Sequence, residues 1–294
     1  MAVHAGRYSL APSRRTKRRK LVNLLMQALA TVAALAAVAV LAIVIISVAQ
    51  RGASALNLDF FTKTAATFGQ SGGGVANALI GSLVLVAVAT AMAVPVGILI
   101  ALYVSEFASP RVGDLAKLVL DVLNGLPSII IGIFVFALLV IGSGQAAWKG
   151  SFALVIIMLP LVARATQEVL ALVPTALREG ALALGASRWR TVLGIVLPTS
   201  LGGILTGTVL AVARAAGETA PLLFTTSIAA NAVTWDPRQP VLSIPIDIFS
   251  LSESPDPADH ARAWALGFVL ISFILVVSLT ARLLLIRYRK KLEG

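Results

Sequence analysis

The chain of 294 residues is 58% hydrophobic, only 13% charged, carries a formal net charge of +11 and has no cysteine. That balance is far too apolar for an ordinary soluble domain, and the missing cysteine excludes disulfides, thiolate nucleophiles and iron–sulfur ligation. The two histidines, His4 and His260, lie in a tail and a loop, so no metal site and no redox chemistry are expected.

Residues 1–20 form a basic tail with Arg7, Arg14, Arg15, Lys17, Arg18, Arg19 and Lys20. The apolar stretch 21–49 follows, too long for the core of a cleaved signal, and reads as a retained first helix. Further apolar runs at about 75–104, 116–141, 152–173, 198–226 and 263–286 are each long enough to cross roughly 30 Å of hydrocarbon. The expectation is an all-α fold with six transmembrane helices. An even count puts both ends on one side. Arg282, Arg287, Arg289, Lys290 and Lys291 at the far end match the basic tail, and the positive-inside rule places both ends in the cytoplasm. Of the 24 basic residues, Arg51, Lys63, Lys149, Arg238 and Arg262 fall in exterior loops, and Arg214 lies within a span. Because the positive charge sits beside apolar spans, the expected partner is membrane lipid and not nucleic acid.

The first exterior loop, 50–74, contains GQSGG at 69–73. It has nucleophile-elbow spacing but no preceding strand and no histidine partner. In the third span, Gly125 and Pro127 should interrupt helical hydrogen bonding, which a membrane tolerates where the break meets protein or a cavity. Asn124 and Ser128 then either line a path or bond to a neighbouring helix. Asp121, one turn earlier, is positioned to pair with a cation such as Arg214. The following GSGQAA at 142–147 is a connection between spans, with only superficial likeness to a dinucleotide loop.

The loop 174–197 has a helical pattern of its own. Leu177, Ala181 and Leu184 share one face of a short helix that starts after Pro174 and stops near Gly185. Ser187 is placed to cap a second turn leading into Arg188 and Arg190. An apolar ridge facing the cytoplasm requires a cover. The order Glu179, Gly180, Ala181, Gly185, then Ile195, Leu197 and Pro198 resembles the EAA loop of ABC importer permeases, with Gly180 where alanine is usual. That resemblance implies a coupling helix seated in a cytoplasmic ATPase, with Glu179, Gly180, Ala181 and Gly185 at the contact. No G-x-x-x-x-G-K-[ST] occurs in the sequence. The chain itself is therefore expected to bind no cofactor and to be no enzyme, with ATP and Mg held by the partner.

Span five contains ARAAGETAP, with Arg214 and Glu218 four residues apart and so on one helix face. Each charge costs roughly 2.5–3.5 kcal/mol at mid-membrane. The pair is either self-neutralising or an anion site in which Arg214 offers a planar array of donors and Glu218 orients it. G203-I-L-T-G207 in the same span reads as close helix packing. GETAPLLFT at 217–225 and NGLPSIIIGIFV at 124–135 resemble segments of permeases from bacterial phosphate-specific transport systems. The resemblance spans about 75–286 and takes in LSIPIDIFS of the later loop. It implies a plasma (inner) membrane location, a second homologous permease subunit, an ATPase dimer and an extracytoplasmic phosphate-binding protein. A permease for sulfate or molybdate, or an ATP-independent secondary transporter, is the alternative; a membrane enzyme has no catalytic cluster to stand on.

The long exterior loop 227–262 carries five prolines. Buried prolines forfeit backbone donors, which argues against a seventh span. The loop reads as a tether between spans five and six or as a docking surface for an extracytoplasmic partner. Residues 287–294 close the chain as a second basic tail.

Overall fold

The computed structural model describes residues 14–64 and 73–293, with side chains as far as residue 283. His4, Arg7, most of the GQSGG segment and the side chains of Arg287, Arg289, Lys290 and Lys291 lie outside the described residues.

Two units make up the chain, Met1–Val48 and Ala49–Gly294. The described residues of the first form one apolar helix, α1 (Arg14–Gly52 in full), which begins on the basic run RRTKRRK. The second unit opens with a short helix α2 (Leu58–Thr62), whose N-cap Asn57 accepts the Phe60 N–H at 2.8 Å. Then come α3 (Ala76–Leu102), α4 (Pro110–Gly125), α5 (Ser128–Val135), α6 (Ala147–Ala171), α7 (Thr175–Ala183), α8 (Arg188–Thr191), α9 (Leu197–Ala216), α10 (Ala220–Thr225), α11 (Ile244–Ser252) and α12 (Pro257–Glu293). Single π-helical turns close α3 at Tyr103–Phe107, close α5 at Phe136–Val140 and open α9 at Val192–Val196. Among the described residues, five helices are long and apolar enough to cross a membrane, or six where the bent pair of α4 and α5 counts as one span.

α3 and α6 form the centre. Ala78, Ala89 and Ala93 on α3 leave room for Leu154, Met158 and Val162 of α6, and all six are buried. Small residues let helices approach where lipid offers no hydrophobic drive to associate. Ser151 Oγ donates to the Leu85 carbonyl at 3.0 Å across this contact. The G203-I-L-T-G207 stripe packs α9 on α6, with Gly203 against Val169 and Gly207 against Ala165.

The loop 227–262 is more than a tether. Residues 241–247 are buried, and α11 packs on α12 and α3. The Ile244 N–H donates to Ser82 Oγ at 2.7 Å, and a Cβ at Gly81 would stand 2.0 Å from the Leu242 carbonyl oxygen. Apolar residues between the prolines fill a core seat, while the prolines sit where no helical donor is missed. Lys149 departs from an ordinary loop lysine in the same way. It is 5% exposed, and its Nζ donates to Ser143 Oγ at 2.8 Å and the Gly144 carbonyl at 2.5 Å, closing the turn before α6.

Asp247 lies in this seat, outside the spans. Burial pushes its carboxyl from 3.8 to about 6, opposed by Arg262 and reinforced by Asp259. Arg262 itself pairs with Asp259. A raised pKa means that the folded state holds a proton which the unfolded chain has lost. The contribution of Asp247 to stability is therefore full below pH 3.8 and is lost as pH rises from there through about 6. Asp247→Asn should flatten that dependence and raise stability at pH 7.5 by roughly 2–3 kcal/mol. Melting temperatures at pH 5 and pH 7.5 check it, and an unchanged pH dependence in the variant would refute it.

Candidate functional site

Span five does not run unbroken to residue 226. α9 ends at Ala216, Gly217 caps it, and Pro221 restarts the chain in the first turn of α10. Arg214 occupies the last turn of α9, where the helix dipole favours a cation. Glu218 lies in the break rather than on the same helix face, because its N–H has turned to the Ala215 carbonyl at 3.2 Å. The two still pair, Nε to Oε1 at 3.8 Å, with Arg214 56% exposed and Glu218 16%. Arg214 thus keeps donors to offer beyond its partner.

The third span breaks as its Gly and Pro predict, and the turn is sharp: α4 and α5 meet at 97° across Leu126 and Pro127. Asn124 is exposed at the end of α4 and Ser128 half-buried at the start of α5. No hydrogen bond or ion pair joins either to Arg214 or Glu218 among the described residues. α5 instead reaches span five through α10. Gly132 faces Pro221, and the rings of Phe136 and Phe224 meet edge to face with centroids 6.3 Å apart.

Asp121 pairs with Arg164 of α6, not with Arg214. Arg164 also donates to the Lys117 carbonyl at 3.2 Å, so one guanidinium fastens α4 to α6. The sequence holds a signal for this contact, an arginine inside the apolar run 152–173. Beside this contact a cleft of about 570 Å³ opens, lined by Glu106, Lys117, Arg164, Gln167, Arg178 and Arg188 among others.

The loop between α6 and α9 is built as its pattern predicts at both ends. α7 follows Pro174 and stops at Gly185, whose φ of +83° suits a residue without Cβ. The Ala186 N–H bonds the Ala181 carbonyl at 3.1 Å and the Gly185 N–H bonds Leu182 at 3.0 Å, a Schellman closure. Ser187 caps α8 by accepting from the Arg190 N–H. The apolar ridge is divided, however. Ala181 turns inward at 8% exposure, while Leu184, past the end of α7, is 90% exposed. Leu177, Leu182 and Trp189 are exposed with it, and Glu179 is exposed on α7.

A Cβ at Gly180 would meet nothing within 4 Å. Gly180→Ala should therefore stabilise α7 by about 1 kcal/mol through helix propensity alone. Equal or higher melting temperature checks this; a lower one would contradict it.

Residues 93–290 match the family described as binding-protein-dependent transport system inner membrane component. The chain is 36% identical over 267 residues to the phosphate transport system permease protein PstA of Haemophilus influenzae, covering 90% of this chain and 94% of that protein. It is 38% identical over 276 residues to PstA of Xylella fastidiosa strain Temecula1, covering 92% and 95%. Among solved structures, a chain of a bacterial alginate ABC transporter in complex with a pentasaccharide-bound periplasmic protein superposes with a TM-score of 0.64 at 17% identity, covering 91% of this chain and 96% of that one. An inward-facing MetNI methionine ABC transporter gives 0.56 at 16% identity, covering 73% and 94%. The two structures share the fold.

Proposed function

The chain belongs to the binding-protein-dependent transport permeases, and among them to the PstA group of phosphate transport systems, and from that premise we propose how its parts move phosphate across the inner membrane. It is a multi-pass membrane permease and not an enzyme. Arg214 holds phosphate oxygens in passing, through guanidinium N–H groups that its 3.8 Å pairing with Glu218 leaves open. Glu218 orients the guanidinium and keeps affinity low enough for release. Asn124 and Ser128, at the 97° break, contribute neutral hydrogen-bonding groups to the same path, and Asp121 acts on it through Arg164. The observation that carries this reading is a half-exposed arginine at a break within a membrane span.

Both termini lie in the cytoplasm, which puts α7 there too. Its exposed Glu179 and Gly180, the turned-in Ala181 and the left-handed Gly185 shape the contact with an ATPase dimer, which binds ATP and Mg in place of this chain. A second, homologous permease completes the path. A phosphate-binding protein delivers substrate from outside, and lipid covers the remaining apolar faces. Family membership weighs against an ATP-independent transporter.

Competition decides the substrate. In vesicles holding the assembled complex, excess unlabelled phosphate should suppress uptake of labelled phosphate while equal sulfate or molybdate leaves it unchanged. Equal suppression by sulfate would assign the permease to another oxyanion.

A further inference from the structure

Arg178 stands one position before Glu179, and its guanidinium leaves α7 altogether. Nη2 donates to Glu106 Oε1 at 3.0 Å and to the Leu170 carbonyl at 2.8 Å, and Nη1 donates to the Val173 carbonyl at 2.6 Å. Glu106 belongs to the π-helical turn that ends α3. Leu170 lies in the last turn of α6, and Val173 follows it. One side chain therefore ties α7 to the ends of spans two and four. The ion pair is only 22% and 13% exposed, so solvent and salt screen it little.

Apart from Arg178, no α7 side chain hydrogen-bonds to α3 or α6 among the described residues, and Ala181 is the one α7 residue buried among them. A methyl contact slides under load. A planar fork anchored at three oxygens resists it, because displacing α7 breaks charge-assisted bonds whose donors are left with a poor replacement. Lysine lacks the fork and cannot reach all three acceptors at once. The Leu170 carbonyl, in the last turn of α6, also carries the negative end of that helix's dipole, which favours a cation there.

We propose that Arg178, held by Glu106, is the positioning residue that carries motion of α7 into spans two and four, so that ATP hydrolysis is coupled to transport. The role rests on the reading of α7 as the helix that faces the ATPase. It differs from that of Glu179 and Gly185, which shape the contact with the ATPase; Arg178 passes the movement on.

The test compares phosphate uptake with ATP hydrolysis in the reconstituted complex. Glu106→Gln keeps the carbonyl contacts of Arg178, and Arg178→Lys keeps the charge. Both should leave ATPase copurification and hydrolysis within about twofold of the unsubstituted complex, while phosphate carried per ATP falls about tenfold. The double variant should be no worse than the more severe single one. Full coupling in Glu106→Gln, or a parallel fall of copurification, hydrolysis and uptake, overturns the proposal. If Arg178→Lys does not accumulate, the ratio in Glu106→Gln alone decides. An unsubstituted complex without ATP-driven phosphate uptake would defeat the transport reading as well, whereas normal uptake with fully coupled variants defeats this proposal alone.

Discussion

Arg214→Ala should cut phosphate uptake about 100-fold, the scale of losing a charged donor array at the point where an anion is bound, while the complex still assembles. Two effects add. The planar donors vanish, and Glu218, only 16% exposed, is left as a carboxylate without its neutralising partner in a path meant for anions. Arg214→Lys keeps the charge but not the fork, and should retain roughly a tenth of the uptake. The decisive variant is the neutral pair Arg214→Ala with Glu218→Gln. If the two charges exist only to neutralise each other during insertion, this variant transports normally. If Arg214 binds the substrate, Glu218→Gln relieves only the bare carboxylate, and uptake stays at least about tenfold below the unsubstituted complex. Labelled-phosphate uptake normalised to assembled complex separates the outcomes, and normal uptake by the neutral pair would remove Arg214 from the path.

The second large effect is structural. At Gly132 a Cβ would lie 2.6 Å from the Pro221 Cα and 3.1 Å from its carbonyl oxygen. Those are backbone atoms, and they cannot rotate away. Gly132→Val must therefore part α5 from α10 and lose the Phe136–Phe224 contact, with a cost of about 2–3 kcal/mol from overpacking. Because this contact joins the two broken spans, uptake should fall at least about tenfold with stability. Gly180→Ala, whose Cβ meets open space, should do neither. Thermal unfolding in detergent and uptake in vesicles check both variants. An unchanged melting temperature in Gly132→Val would mean that α5 and α10 are not tightly docked.

Hydropathy made most of the spans legible, because a span must satisfy its backbone internally and show apolar side chains to lipid. The break at Gly125 and Pro127 was legible for the same reason, since the residues that interrupt a helix are few. Its 97° angle was not; that depends on Gly132 seating against Pro221, a contact far apart in sequence. The break after Ala216 had signals in Gly217 and Pro221, but the apolar run around them read as continuous. Local pattern placed α7, its glycine stop and its serine cap. It could not tell which of Leu177, Ala181 and Leu184 turns inward, since that depends on how α7 rests on the chain behind it.

Partners at long range were the least visible. Asp121 meets Arg164 and not Arg214, and Arg178 meets Glu106 from 72 residues away. Asp121, inside a span, was readable as a charge needing a partner, but neither spacing nor periodicity selects among distant cations, and nothing local marks Arg178 or Glu106. The loop 227–262 misled through its prolines. They excluded a further span, yet the apolar residues between them, Ile244 and Ile246 among them, supply a buried seat that a tether would not need.

The most direct measurement of the central claim is uptake of labelled phosphate into vesicles containing this chain with its copurifying subunits, with and without ATP. ATP should drive accumulation against a gradient, and a non-hydrolysable analogue should not. Accumulation that proceeds equally without ATP would contradict the account at its base.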